Sequence, residues 1–284
     1  MDGGSGLDDV SYVNSPNGVI VNINESQSYS NIAYPLDLEP SFNISAGKAF
    51  DGFGNTDTLQ NLENITGSNY NDVLIGNTLN GLAGNDLLIG NGGDDILDGG
   101  DGIDTVSYRR SFNSSNIGVS VDLANNIAFD GIDGLDTLRN IENIIGSQFA
   151  DRLIGDSNAN TILGGDGNDI IQGKEGSDRL FGENGNDEIF GGVGDDIAAE
   201  GNNLIGTGSG NDIVYAGSGS DWIFTGAGDD VIYAAEGNNL IAAGTGDNLV
   251  YSGSGRDLFV LVSGAGSTTI DQFQALIALV LSVV

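Results

Sequence analysis

The sequence predicts an all-β chain of very short strands stacked into a solenoid, and three observations lead there. Two long stretches can be cut every nine residues without a gap. Glycine supplies 47 of 284 residues, far above the usual share of about 7%, while only 3 prolines are present, which excludes a collagen. Acidic residues outnumber basic ones 41 to 8, a formal net charge of −33. Such a surplus marks either a disordered chain or one that folds around counter-ions. The apolar residues recur in short regular clusters, which favours the second reading.

The longest array starts at Gly146 and reads GSQFADRLI, GDSNANTIL, GGDGNDIIQ, GKEGSDRLF, GENGNDEIF and GGVGDDIAA, ending at Ala199. A second runs from Thr207 to Val260: TGSGNDIVY, AGSGSDWIF, TGAGDDVIY, AAEGNNLIA, AGTGDNLVY and SGSGRDLFV. A shorter one covers Gly81 to Ser107, and a single copy runs from Gly3 to Ser11. Glycines at positions 2 and 4 allow positive φ in a tight turn. Asp at position 6 places a carboxylate at the end of that turn. Positions 7 to 9 form a strand, with Ile, Leu, Val or Phe at position 8 in nearly every copy. Three residues span only about 10 Å, so one copy cannot bury its apolar side chain and the copies must stack.

Histidine and cysteine are absent. That removes disulfides, thiol chemistry, ordinary zinc sites and Ser-His-Asp or Cys-His catalysis. The remaining metal ligands are oxygens, which suit a hard cation such as calcium. A surface this acidic repels nucleic acid. The N-terminus has neither the basic start nor the apolar run of a signal peptide. The apolar tail Ala275 to Val284 is too short for a helical membrane span, which needs roughly 20 residues. Asp94, Asp195, Asp229 and Asp247 sit at position 5 and read as solvated loop residues rather than an acid/base pair. Trp222, at position 7, reads as an outward strand residue. No catalytic residue is predicted, and the chain reads as a non-enzyme.

The nine-residue pattern resembles the G-G-x-G-x-D-x-U-x consensus of the RTX, or haemolysin-type, calcium-binding repeats. The resemblance implies a right-handed parallel β-roll with two nonapeptides per turn. It places calcium between loops 18 residues apart, held by carboxylates and main-chain carbonyls. The implied metal ligands are Asp8, Asp86, Asp95, Asp104, Asp151, Asp169, Asp178, Asp187, Asp196, Asp212, Asp221, Asp230 and Asp257. Pairs of two aspartates, such as Asp169/Asp187, are expected to bind best. Asn160, Asn203, Asn239 and Asn248 each remove a charge from the column.

The order along the chain predicts an irregular solenoid with short calcium-binding arrays over 1–145, a continuous nonapeptide roll over 146–260, and a C-terminal strand with an apolar tail over 261–284. Within the first region a long unit occurs twice. Val10-Ser11-Tyr12 is echoed by Val106-Ser107-Tyr108, and Asp57-Thr58-Leu59 by Asp136-Thr137-Leu138. These segments are expected to be wider, calcium-poor coils. Asp257-Leu-Phe-Val-Leu resembles the closing segment of cyanobacterial-type RTX proteins. Position 9 of the last array places Tyr215, Tyr233 and Tyr251 in an outward ladder, a candidate face for self-association, for the chain's own tail or for another protein. The expected function is a calcium-binding module of a secreted protein with a structural or interaction role. It would leave the cell by a route that needs no signal peptide. The alternative is the repeat module of a secreted protease, lipase or sugar epimerase whose catalytic domain lies elsewhere.

Overall fold

Every ordered element in the computed structural model is a strand among the described residues, which are 1–32, 42–109, 116–131, 134–194, 197–199, 203–262, 266–271 and 279–282. The chain divides into two compact units, Met1–Ile145 and Gly146–Val284.

In the second unit successive repeats alternate between two parallel sheets. One contains Arg152–Ile154, Ile170–Glu175, Glu188–Val193, Leu204–Ser209, Trp222–Phe224, Leu240–Ala242 and Leu258–Val262. The other contains Thr161–Asp166, Arg179–Asn184, Ile197–Ala199, Ile213–Tyr215, Val231–Tyr233 and Asn248–Tyr251. Ile171 lies beside Leu153 and Ile189, and Val214 beside Ile232, so two nonapeptides complete one turn. Position 8 is the core: Ile162, Ile171, Leu180, Ile189, Val214, Ile223 and Ile232 are all fully buried. Each such side chain contributes about 1.5–3 kcal/mol of burial, but only when a turn lies on each side. The chain is therefore a parallel β-solenoid, as its period predicts.

The first unit departs from that simplicity. Its two inserted segments form antiparallel meanders rather than wider coils. Ser120–Asp122, Ile127–Phe129 and Leu135–Arg139 make one; Ile20–Asn22, Lys48–Phe50 and Thr56–Thr58 make the other. In the second copy the cause is connection length. Only four residues join Asp122 to Ile127, closed by the Asn126 N–H on the Leu123 carbonyl at 3.1 Å, with Asn126 at φ +59°. That closes a hairpin but not a turn of solenoid. In the first copy the longer loop holds a further hairpin, Tyr29–Ile32 with Phe42–Ile44. Tyr29 and Ile44 pack on Val73, Ile75, Leu87 and Ile89, covering the outer side of that sheet.

The tyrosine ladder exists. Tyr215 stacks on Tyr233 with centroids 4.9 Å apart, and Tyr233 on Tyr251 at 4.8 Å, with ring planes within 4°. The described part of the apolar tail lies elsewhere. Leu279–Ser282 extends the opposite sheet, beside Leu258–Val262.

Candidate metal centre

The loops between strands stack as closely as main chains allow. Positions 2 and 4 take positive φ, as at Gly165 (+111°) and Gly167 (+131°). Position 2 tolerates a side chain, since Lys174 and Glu183 adopt φ +90° and +65° there. Position 4 is stricter. A Cβ on Gly185 would lie 1.5 Å from the Gly167 carbonyl oxygen of the previous turn, so only glycine fits.

At position 6 the aspartates form a buried column along each edge. One oxygen of each is committed to the turn before it. Asp169 Oδ1 accepts the Asp151 N–H at 2.8 Å, Asp187 Oδ1 the Asp169 N–H at 2.9 Å, and Asp104 Oδ1 the Asp86 N–H at 2.7 Å. Position 5 ties the loops in the other sense: Asn168 Oδ1 accepts the Asn186 N–H at 3.0 Å, and Asp229 Oδ1 the Asp247 N–H at 2.8 Å.

The second carboxylate oxygen is different. Oδ2 of Asp86, Asp104, Asp169, Asp187 and Asp221 is buried and accepts no hydrogen bond. A native structure rarely leaves such an atom unsatisfied without an ion or water to explain it. Position 1 shows where it points. A Cβ on Gly164 would lie 2.2 Å from Asp169 Oδ2 and 2.7 Å from the Gly182 carbonyl oxygen. On Gly81 it would lie 2.0 Å from Asp86 Oδ2 and 2.4 Å from the Gly99 carbonyl oxygen. Each cradle thus brings an ionisable oxygen and a main-chain carbonyl of the next turn to one point beside a glycine. That donor set, all oxygen, fits calcium. Among the described residues no three acidic side chains close on one point; the cradles combine carboxylates with carbonyls instead.

The electrostatics point the same way. Burial pushes the Asp86 carboxyl up to about 8, with the charges of Asp72 and Asp104 adding to it. Burial pushes Asp169 up to about 7, with Asp151 and Asp187 adding. Asp104, Asp178 and Asp221 rise to about 6, again chiefly by burial. Two carboxylates about 5 Å apart repel by about 0.8 kcal/mol in water and about 3 kcal/mol at a protein-like dielectric. Without counter-charge the column works against its own fold.

A family model of four RTX calcium-binding nonapeptide repeats matches residues 76–106 and, in overlapping copies, 140–267, more than half of the chain. The chain belongs to the RTX calcium-binding repeat family. Its RTX repeats bind calcium ions, several per array. The extracellular lipase LipA of Serratia marcescens is a solved structure with some likeness, at 19% identity and a TM-score of 0.24. The match covers 72% of this chain but only 32% of the lipase. No curated protein matches the chain.

The RTX frame places the expected aspartates as follows. Asp86, Asp95, Asp104, Asp169, Asp178, Asp187, Asp212, Asp221 and Asp230 are buried in the columns. Asp8 is half-buried, with its N–H on Glu63 Oε2 at 2.9 Å. Asp151 is set apart, because its carboxylate accepts the Ser147 N–H and hydroxyl. Asp257 is buried at the end, its Oδ1 accepting the Asn239 N–H at 3.0 Å. Asp196 lies outside the described residues.

Four acidic residues in these columns escape the nine-residue cut. Asp72 occupies position 6 of GSNYNDVLI, and its Oδ1 accepts the Ser68 hydroxyl at 2.7 Å. The likeness of that segment to GSQFADRLI was the available signal. Glu63 and Glu142 take the place of a position-6 aspartate; Glu142 Oε2 accepts the Asp104 N–H at 2.7 Å. Asp136 does the same for Asp95, at 3.1 Å. The echoed Glu-Asn-Ile and Asp-Thr-Leu motifs mark these three, but spacings of 38 and 41 residues hide the pairing.

Proposed function

We propose that this chain is an extracellular RTX module that folds on meeting calcium and serves a structural or interaction role, reaching the outside by a route that needs no signal peptide. The observation that carries this is the row of buried, unpartnered Oδ2 atoms on Asp86, Asp104, Asp169 and Asp187, each beside a glycine, and the first three beside a main-chain carbonyl as well. These side chains, with Asp178, Asp212, Asp221 and Asp230 in the same columns, would be the ligands. Bound calcium supplies the positive charge that lets the carboxylates stay ionised while buried. The chain's own part is positional. Oδ1 fixes each carboxylate to the preceding turn, and the position-1 glycine leaves room at Oδ2.

Exposed extracellular sites bind calcium at about 0.1–1 mM. A site whose dissociation constant lies ten-fold below ambient calcium adds about 1.4 kcal/mol. A handful of such sites matches the 5–15 kcal/mol of an ordinary domain. The module would thus be largely unfolded at cytosolic calcium and folded outside. Far-UV circular dichroism of the full chain tests this: a β spectrum should build up on adding calcium and collapse on chelation. A β spectrum unchanged in excess EGTA near pH 8 would sink the proposal.

The stacked tyrosines support a packing role rather than ligand capture. At 4.8–4.9 Å both faces of Tyr233 and one face each of Tyr215 and Tyr251 are covered by a neighbouring ring.

A further inference from the structure

One acidic turn lies where the nonapeptide frame gives way to the inserted meander. Asp95 is 2% exposed, and neither of its carboxylate oxygens completes a hydrogen bond; the Asn91 N–H faces it without the geometry of one. The next turn on this edge does not come 18 residues later. It is supplied by Leu135–Arg139, which runs parallel to Ile96–Asp101 with Thr137 beside Ile96. Asp136 Oδ1 accepts the Asp95 N–H at 3.1 Å, and Asp136 Oδ2 accepts the Tyr108 hydroxyl at 2.8 Å.

Asp130 arrives at the same place from the end of the antiparallel strand Ile127–Phe129. Its Oδ1 accepts the Gly134 N–H at 3.1 Å. A Cβ on Gly134 would lie 2.8 Å from Asp130 Oδ2 and 2.2 Å from the Gly93 carbonyl oxygen. This is the same kind of cradle as in the regular turns, a carboxylate oxygen and a carbonyl beside a glycine, but Asp130 and Gly134 come from outside the nine-residue frame. The charges acting on Asp95 are those of Asp136, Asp130 and Asp94, all negative. Asp130 and Asp136 are themselves buried, at 4% and 1% exposure.

The first copy of the inserted unit repeats the tyrosine bond but not the cradle. Tyr12 donates to Asp57 Oδ2 at 3.1 Å, the counterpart of the Tyr108 bond. The Asp51 carboxylate, counterpart of Asp130, is filled by the N–H groups of Phe53 and Asn55 at 2.9 Å and by the Asn55 amide at 3.1 Å.

We propose that Asp95, Asp130, Asp136 and the Gly93 carbonyl hold a divalent cation, calcium by donor type, as a junction site that the nonapeptide pattern does not contain. It rests on the reading that the regular turns take calcium, and adds a site where the echoed insertion joins them. Among the described residues no three acidic side chains close on one point, so a bound cation would have to draw these carboxylates together, with main-chain oxygens completing a shell of about 6–8 ligands. The site locks the meander to the repeat before it, much as a regular site locks one turn to the next.

Calcium stoichiometry of the full chain, measured by calorimetry, tests the site. Asp130→Asn and Asp136→Asn should each bind one calcium fewer than the parent, while Asp51→Asn and Asp57→Asn keep the parent number. Should Asp136→Asn lose its β spectrum in calcium, Asp130→Asn decides, since an amide oxygen still accepts the Gly134 N–H. Terbium gives a second readout. Tyrosine-excited terbium emission should fall in Tyr108→Phe and not in Tyr12→Phe. Parent stoichiometry in both folded variants, or emission unchanged in Tyr108→Phe, would overturn the junction site. A parent that binds no calcium would instead overturn the general reading.

Discussion

The two arrays of the second unit, residues 146–194 and 207–260, share a period, a register and a buried position 8, yet they close their loops by different chemistry. In the first array position 1 is glycine throughout, and the Gly182 carbonyl oxygen faces the unpartnered Oδ2 of Asp169. In the second, position 1 is Thr207, Ala216, Thr225, Ala234, Ala243 or Ser252. There the same carbonyls accept protein donors. Thr207 Oγ1 donates to the Thr225 carbonyl at 3.2 Å and Thr225 Oγ1 to the Ala243 carbonyl at 3.1 Å. Asn239 Nδ2 donates to the Ala234 carbonyl at 3.3 Å, and Asn248 Nδ2 to the Ala243 carbonyl at 2.9 Å. One backbone is thus completed either by a cation or by hydroxyl and amide groups of the chain. Asp221 and Asp230 each keep an Oδ2 that accepts no hydrogen bond, as Asp169 and Asp187 do in the first array, so the second array keeps carboxylates for a cation while sharing its carbonyls with protein donors. From this difference we expect a gradient of calcium dependence along the repeat.

The largest expected effect is at Asp169. Its carboxylate accepts the Asp151 N–H, and its own N–H rests on Asp187. Asp169→Ala removes a ligand and leaves a buried donor unsatisfied, a cost of about 1–3 kcal/mol. The calcium concentration at the folding midpoint should rise about ten-fold or more, since 1.4 kcal/mol is a factor of ten. Asp257→Ala, whose preceding turn carries Asn239, should shift it far less. Equal midpoints in parallel titrations would break the comparison.

Next come substitutions that exchange the two chemistries. Gly164→Ala puts a methyl between Asp169 Oδ2 and the Gly182 carbonyl, so it should remove one calcium. The converse, Asn239→Asp with Asn248→Asp, should add calcium to the second array and make it less stable in chelator. Calorimetric stoichiometries that do not move in opposite directions would show that position 1 and position 6 do not select the loop chemistry.

A pH series gives a smaller, graded effect. In the calcium-free fold burial raises the carboxyls of Asp86 and Asp169 to about 8 and about 7. A carboxyl raised on folding binds more protons folded than unfolded, between its unfolded value near 3.9 and its folded one. Stability of the calcium-free chain therefore rises as pH falls through about 8 toward 4, while calcium affinity falls over the same range. β content in EGTA should be higher at pH 5 than at pH 8; the reverse order would contradict the buried column. Least of all, Tyr233→Ser should cost about 0.5–1.5 kcal/mol of stacking per ring pair and leave calcium stoichiometry and sedimentation unchanged. Reduced self-association in that variant would make the ladder an interface.

The period carried most of the fold. Position 8 as core, alternate sheets, 18-residue edges and the tyrosine ladder all follow from register, because side-chain direction in a strand is fixed by count. What stayed hidden was set by atoms rather than by pattern. Glycine at position 1 reads as one more turn residue until Asp169 Oδ2 is found where its Cβ would be. Asn239 and Asn248 read as weakened ligands, and the pattern does not show that their amides also donate to the Ala234 and Ala243 carbonyls. The meanders depended on a four-residue connection at Asp122–Ile127, and Asp136 stands 41 residues from the aspartate it serves.

Solenoid repeats gain and lose order locally, since each contacts only its neighbours. Hydrogen exchange of the full chain, with calcium and in excess EGTA near pH 8, therefore tests the central claim most directly. The peptide N–H groups of 146–194, including those of Asp151 and Asp169 that donate to column carboxylates, should lose protection when calcium is removed. Those of 207–260 should keep the larger part of theirs. Equal protection of 146–194 with and without calcium would contradict the account.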